Sequence, residues 1–272
     1  MFDSCKTDSQ KFLTELKSEI PDIKEYSISA GNRNIFFVTS GCLKNHNKIL
    51  IFIHGSPGGW NDYSFYLKDK DLRNVFCIVS LDRPGFGLSG SDISVADLQT
   101  QSDLIRVAIE HFLKDQILIH QSKPKLILVG HSYGGPIAAK VALDIGYPKE
   151  ALFLLSSSMD FRLEEVRWYN RLASYFFVKF FLPKEIINSN DEMIPLKWQL
   201  AEWDDIWKFI DFQVISIHGK DDFLVPFENV EYMRKKINPN RFQTVELEDE
   251  NHFIPWTRKQ LVKEKILTVN SK

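Results

Sequence analysis

Leu126-Ile127-Leu128-Val129-Gly130-His131-Ser132-Tyr133-Gly134-Gly135-Pro136 is the stretch that decides the fold. Its apolar opening is too short for a typical helix and is typical of a strand covered on both faces, and a helical pattern begins at Gly135-Pro136. Between the two lies Gly-x-Ser-x-Gly, a tight strand-to-helix turn whose glycines leave room while Ser132 projects outward. Ser132 is therefore a candidate nucleophile, placed near a helix start that favours a developing anion.

The same alternation of strands and helices extends along the chain. We predict strands at Glu25–Ala30, Asn34–Ser40, Ile49–Ile53, Val75–Val79, Leu126–Val129, Ala151–Leu155, Val214–Ile217 and Phe242–Leu247, and helices at Asp8–Ile20, Asp97–Lys114, Ile137–Asp144 and Glu228–Ile237. The first two strands are predicted to pair antiparallel, joined by a turn at Gly31-Asn32. The rest indicates an α/β fold with a mostly parallel central sheet and helices on both faces.

The alternation stops between Met159 and Phe212, where aromatic residues are frequent and no strand pattern is clear. We expect a small helical cap there, which divides the chain into a first core part (1–158), the cap (159–212) and a second core part (213–272). The apolar run Ala173–Leu182 is short and contains Lys179, so it is predicted to be a buried helix rather than a membrane segment.

Composition excludes several functions. The 272 residues are enough for one domain with an insertion, and the net charge of −2 comes without the basic block that a nucleic-acid partner requires. The three cysteines, Cys5, Cys42 and Cys77, are odd in number and lack a ligand spacing, so we predict no disulfide framework, no zinc site and a reducing compartment. The polar N-terminal residues contain no signal-peptide core. We therefore expect a cytoplasmic protein without a membrane partner.

A nucleophilic serine needs a base and a group that orients the base. Among the seven histidines, His252 follows the predicted strand Phe242–Leu247 across an acidic loop, where ligands of such sheets bind. His54, His131 and His218 are expected to pack or hydrogen-bond beneath the site. The acid comes from Asp221-Asp222, after another strand, in the expected order of nucleophile, acid and histidine.

Backbone N–H groups are the simplest donors for an oxyanion, because they are fixed in place. Tyr133, directly after the nucleophile, supplies one, and Ser56 in His54-Gly55-Ser56-Pro57-Gly58-Gly59 is predicted to supply the other, since Pro57 has no N–H. The stretch Gly85–Gly90 matches Gly-x-Gly-x-x-Gly, but no helix pattern follows it. We interpret it as a structural loop rather than a dinucleotide site.

The chain resembles the α/β-hydrolase superfamily, in its serine-nucleophile branch with a helical cap, from about Tyr26 onward. The resemblance rests on His54-Gly55-Ser56-Pro57-Gly58, Asp82-Arg83-Pro84-Gly85-Phe86-Gly87-Leu88-Ser89, Gly130–Gly135 and Gly219–Pro226. The family's acid lies three residues after the glycine, and this register favours Asp222 over Asp221. A glycine commonly precedes the family's histidine, whereas here Asn251 stands before His252.

The resemblance implies hydrolysis of a small ester, thioester or amide-like substrate through an acyl-enzyme on Ser132, without a metal or organic cofactor. The aromatic cap favours an apolar or aromatic acyl group, although such residues in helices also build cores. A prolyl-aminopeptidase-like enzyme and a carbon–carbon bond hydrolase are alternatives. A ligand-binding receptor without turnover, on the same fold, is an alternative of another class.

Overall fold

An eight-stranded sheet forms the centre of the molecule, in a computed structural model that describes residues 4–43, 46–90, 92–120 and 122–269. The strands are β1 (Lys24–Ala30), β2 (Arg33–Ser40), β3 (Lys48–Ile53), β4 (Cys77–Leu81), β5 (Lys125–His131), β6 (Lys149–Leu155), β7 (Gln213–Gly219) and β8 (Phe242–Leu247). Their spatial order is β1-β2-β4-β3-β5-β6-β7-β8. Strand β2 pairs antiparallel with β1 and β4, and all other neighbours are parallel, which confirms the predicted mostly parallel sheet.

Helices cover both faces of this sheet. They are α1 (Ser4–Glu19), α2 (Ser64–Lys68), α3 (Lys70–Val75), α4 (Leu98–His120), α5 (Gly134–Asp144), α6 (Trp168–Ala173), α7 (Phe176–Lys179), α8 (Lys184–Glu202), α9 (Glu228–Lys236), α10 (Ile254–Thr257) and α11 (Lys259–Val269). In β3, Ile49, Ile51 and Ile53 belong to the core layer that includes α4, α5 and α9. Leu50 and Phe52 belong to the opposite layer, with α1 and α11. Both faces of β3 are therefore buried, which explains why its sequence is continuously apolar rather than alternating between apolar and polar residues.

Most predicted elements have limits that differ from the observed ones by a few residues, and two of these differences show the physical reason. The strand predicted at Val75–Val79 begins at Cys77 and continues to Leu81, because Val75 is the last residue of α3. Helix α4 continues to His120, well beyond the predicted end at Lys114. In both places an apolar residue suits either element, and the neighbouring structure decides between them.

The chain between β6 and β7 folds into α6, α7, α8 and two short 3-10 helices, at Phe161–Leu163 and Ile206–Phe209. These elements form the cap, and Leu196 and Leu200 of α8 join the core layer of α4 and α5. The cap is therefore packed on the core rather than detached from it. Its domain limits at 159 and 212 remain a prediction.

The apolar run Ala173–Leu182 does not form the predicted buried helix. Helix α6 ends at Ala173 and the short α7 follows, and the four phenylalanines of the run are 74 to 82% exposed. The prediction is wrong because apolar content cannot show whether another element covers a segment. No helix in the described part of the chain is both long and apolar enough to cross a membrane.

Cys42 and Cys77 form a disulfide bond, with their Cα atoms 4.2 Å apart, so the prediction of no disulfide is wrong. Cys42 lies just after β2 and Cys77 opens β4, and these strands pair with Ser40 opposite Ile78. Strand pairing thus joins residues that are 35 positions apart, which cysteine spacing cannot show. The cysteines therefore do not support the predicted reducing compartment, because disulfides persist mainly in oxidising environments. The side chain of Cys5 lies outside the description.

Candidate active site

Ser132 lies at a sharp turn between β5 and α5. Its φ angle is +53°, a conformation that non-glycine residues rarely adopt. A Cβ atom on Gly130 would lie 2.5 Å from the carbonyl oxygen of Gly134, and one on Gly134 would overlap the backbone of His54. Both glycines of the motif are therefore required by space, and the turn holds Ser132 at the carboxyl end of the sheet.

Asp222 and His252 meet at the carboxyl ends of β7 and β8. The Nδ1 atom of His252 lies 2.8 Å from Oδ2 of Asp222, and the carboxylate of Asp222 is fully buried. Its other oxygen, Oδ1, accepts hydrogen bonds from the backbone N–H groups of Leu224 and Val225. Asp221 is exposed, so of the two adjacent aspartates the structure brings Asp222 to His252.

The electrostatics of this pair favour a charged Asp222. Burial disfavours the carboxylate, but the hydrogen bond and charge of His252 and the N–H of Val225 outweigh it and lower the pKa of Asp222. A charged acceptor at Nδ1 keeps the proton of the imidazole on that nitrogen, which leaves Nε2 free to accept another proton. This arrangement is what a general base beside a serine requires.

Three other histidines of the site region are buried, and two of them, His131 and His218, contact the pair. The ring of His131 lies 4.8 Å from that of His252, and its Nε2 atom is 3.0 Å from the carbonyl oxygen of His252. Burial lowers the pKa of His131 to about 3, so its ring is neutral near pH 7. His218 Nε2 lies 2.9 Å from the carbonyl oxygen of Val225, and His54 Nε2 accepts from the N–H of Arg83. These rings support the loops around the site.

A cavity of 520 Å³ is lined by four of the five predicted site residues, Ser56, Ser132, Tyr133 and His252, and the fifth, Asp222, contacts it through His252. Within the described chain, neither the N–H of Ser56 nor the N–H of Tyr133 has a hydrogen-bond partner. Tyr133 directly precedes α5, whose positive end faces the same turn. The cavity therefore contains a candidate nucleophile, a candidate base and two backbone N–H groups without a partner in the described chain.

The cap contributes a more polar wall to this cavity than the sequence analysis expected. Glu164, Glu165, Arg162 and Arg167 line it. Burial raises the pKa of Glu164 to about 7, against the opposing influence of Ser158 and Arg167. The prediction of an apolar or aromatic acyl site did not include these charges, because charged residues in a cap are usually solvated.

A second group missed by the sequence analysis lies behind Ser56. The guanidinium of Arg83 forms an ion pair with Glu192 of α8, with Nη1 2.6 Å from Oε1, and both side chains are buried. Gln101 bonds to both, and the hydroxyl of Ser56 donates to Glu192. Arg83 also donates to the carbonyl oxygen of Gly55, so this network connects the cap to the loop of the predicted oxyanion donor. Separate sequence segments supply the members, and no local motif links them.

The glycine-rich loop after Arg83 packs against the core. Gly85, Gly87 and Gly90 have φ angles of +92°, +49° and +89°, and a short 3-10 helix spans Gly87–Ser89. Asp82 accepts hydrogen bonds from the backbone N–H groups of Trp60 and Leu88, which fixes the loop. The described residues 92–97 after the third glycine contain no α-helix, and α4 begins only at Leu98, so the geometry differs from that of a dinucleotide-binding turn. In the chain as described, no His, Cys, Asp and Glu side chains group as metal ligands do.

The model of the alpha/beta hydrolase family matches residues 50–264, which extend from within β3 into α11 and include every residue of the candidate site. The chain belongs to the alpha/beta hydrolase family. Solved structures agree with this placement: the chain superimposes on a putative lipase from Acinetobacter baumannii AYE with a TM-score of 0.66 and 19% identity, over 96% of both chains. That likeness shows a shared fold.

Curated relatives of this alpha/beta hydrolase have names of peptidases. It is 35% identical over 131 residues to a probable aminopeptidase, YbaC, from Bacillus subtilis, which is 46% of this chain and 38% of that protein. It is 32% identical over 156 residues to a proline iminopeptidase from Saccharolobus solfataricus, which is 53% of this chain and 47% of that protein. The chain thus spans less than half the length of both relatives.

Proposed function

We propose that this protein is a serine hydrolase that cleaves a small ester, thioester or amide-like substrate through an acyl-enzyme on Ser132. The observation that carries the proposal is the buried hydrogen bond between Asp222 and His252 beside the cavity that also contains Ser132. A carboxylate at Nδ1 stabilises the imidazolium that forms when Nε2 takes a proton. Membership of the alpha/beta hydrolase family agrees with this chemistry.

In the proposed first step, Nε2 of His252 takes the proton of Ser132 while Oγ attacks the substrate carbonyl carbon. The N–H groups of Ser56 and Tyr133 donate to the oxyanion of the tetrahedral intermediate. His252 then gives its proton to the leaving group as the bond breaks, which leaves an acyl ester on Ser132. Water repeats the sequence and releases the acid, so the enzyme regains its proton and no cofactor is consumed.

Hydrolysis of 4-nitrophenyl acetate and butyrate tests this function. We expect turnover by the unaltered protein and none above background by Ser132→Ala. Ser189→Ala is a matched control, because Ser189 lines the same cavity but belongs to the cap helix α8. Equal activity of the Ser132 variant and the unaltered protein would disprove the mechanism.

A second candidate, an aminopeptidase-like activity, is supported by the two glutamates in the wall of the cavity. Glu164 and Glu165 lie on the cap side, where a carboxylate can pair with the ammonium group of a substrate whose scissile carbonyl faces Ser132. The names of the curated relatives point in the same direction. Comparing alanine and proline 4-nitroanilides with the neutral esters separates the two candidates. An aminopeptidase should hydrolyse the anilides faster than the esters, and the Glu164→Gln variant should lose its activity toward the anilides.

A further inference from the structure

The cap carries an exposed aromatic face that the catalytic proposal does not use. We define it by side chains of α6, α7 and the residues around them that are 66 to 82% exposed: Trp168, Tyr175, Phe176, Phe177, Phe180 and Phe181. They occupy a stretch of fourteen residues, and Phe176–Phe177 and Phe180–Phe181 are in edge contact, with centroids 5.7 and 5.3 Å apart. Clustered large apolar side chains on a surface mark an interaction site, whereas isolated ones do not.

The charges of the same segment indicate the partner. From Val166 to Lys184 the sequence has four basic residues and no acidic one. Lys179 pairs with Asp191 and Lys184 with Asp92, whereas Arg167 and Arg171 have no ion pair within the described residues. Arg167 interacts electrostatically with Glu164, so Arg171 is the cation of this segment that lacks a carboxylate partner in the described chain. An apolar surface beside such a cation complements a surface that is apolar inside and anionic outside.

A groove beside the aromatic face has the same character. It has a volume of 490 Å³, and Arg171, Tyr175, Ile194 and Trp198 are among the residues that line it. Trp198 lies on α8, the helix that packs on the core, and its side chain is nevertheless 70% exposed. One cation next to aromatic and aliphatic side chains suits an anionic headgroup with the start of its acyl chain.

We propose that the aromatic face binds an anionic lipid surface, with the phenylalanines of α7 entering the region between headgroups and acyl chains. Aromatic side chains favour this region, and basic residues beside them add attraction to anionic lipids. A second copy of the chain fits less well, because a twofold contact would place the basic segment of one copy against that of the other. Arg167, Tyr169 and Asn170 also line the Ser132 cavity, so binding would bring the cavity near the lipid. The proposal does not depend on catalysis.

Co-sedimentation with lipid vesicles tests this proposal. We expect the protein to bind vesicles of phosphatidylcholine mixed with phosphatidylglycerol, and to bind less as salt is added. Phe177→Ser combined with Phe181→Ser should weaken binding by at least about tenfold, because the apolar surface of two large side chains is no longer transferred from water into the lipid. Phe209→Ser is the control, because Phe209 is 67% exposed but lies outside the aromatic face, and this change should leave binding unaltered. Arg171→Gln should reduce the preference for phosphatidylglycerol.

Two results would overturn the proposal. One is failure of the unaltered protein to sediment with the mixed vesicles. The other is a stable dimer in solution that the Phe177 and Phe181 changes convert to a monomer, which would assign the face to a second copy. Circular dichroism and thermal unfolding of each variant distinguish a loss of binding from a loss of folding.

Discussion

Glu192 of the cap helix α8 accepts two hydrogen bonds from Arg83, which follows β4 in the core, at 2.6 and 3.0 Å. The two side chains are 1 and 0% exposed. The ring of Tyr133 lies 4.8 Å from this guanidinium, and the hydroxyl of Ser56 donates to the same carboxylate. The ion pair thus connects the cap to both predicted oxyanion donors.

Removing the charge of Glu192 should destabilise the protein strongly. Glu192→Gln leaves Arg83 as a buried, uncompensated cation, and we expect the free energy of unfolding to fall by about 3 kcal/mol or more. The matched control is Glu231→Gln, whose pair with Arg234 is more than 40% exposed and should contribute less than about 1 kcal/mol. Urea unfolding of both variants measures the difference. Equal losses would contradict the assigned role of the buried pair.

The two adjacent aspartates should differ sharply. Asp222→Asn removes the charge that stabilises the His252 imidazolium, and we expect kcat for a 4-nitrophenyl ester to fall by about 10⁴-fold. Asp221→Asn changes an exposed side chain one residue away and should leave kcat nearly unchanged. A similar loss in both variants, or in the Asp221 variant alone, would show that the acid is assigned wrongly.

Ser56→Ala tests which part of Ser56 acts in catalysis. Alanine keeps the backbone N–H that we propose as an oxyanion donor and removes only the hydroxyl that bonds to Glu192. We therefore expect kcat to fall less than about tenfold, compared with the 10²- to 10³-fold typical of a lost oxyanion donor. A loss in the larger range would assign the donor function to the hydroxyl.

Glu164 should give aminoacyl substrates a pH dependence that neutral esters lack. Burial raises its pKa to about 7, so the carboxylate that pairs with an ammonium group is lost as the pH falls through that value. We expect KM for an alanine 4-nitroanilide to rise below about pH 7, while KM for 4-nitrophenyl butyrate stays level. Glu164→Gln should abolish the difference. Parallel KM profiles for both substrates in the unaltered protein would remove the support for the second candidate.

Local patterns were enough to predict most of the sheet and its order of elements. The strand Phe242–Leu247 is observed with the predicted limits, because turn residues bound it on both sides. The glycines around Ser132 indicated a tight turn, and the structure has a φ angle there that requires such clearance. Asp222 was selected by its family register, and its hydrogen bond to His252 supports that choice.

The features that the sequence did not reveal depend on contacts between distant segments. Arg83 and Glu192 are 109 residues apart, and the presence of an arginine or a glutamate in the sequence does not predict a buried ion pair. The disulfide between Cys42 and Cys77 results from the pairing of β2 with β4. The phenylalanines of α7 were expected to be buried and are exposed. An apolar pattern predicts burial, but it cannot show whether another element covers the segment.

Covalent labelling with a fluorophosphonate tests the central claim most directly. Such a probe reacts with a serine that a neighbouring base activates, and peptide mass spectrometry locates the adduct. We predict one adduct, on the peptide that contains Ser132, and none at that site in a folded Ser132→Ala variant. An unlabelled, well-folded protein, or an adduct on another serine, would contradict the assignment of Ser132 as the nucleophile.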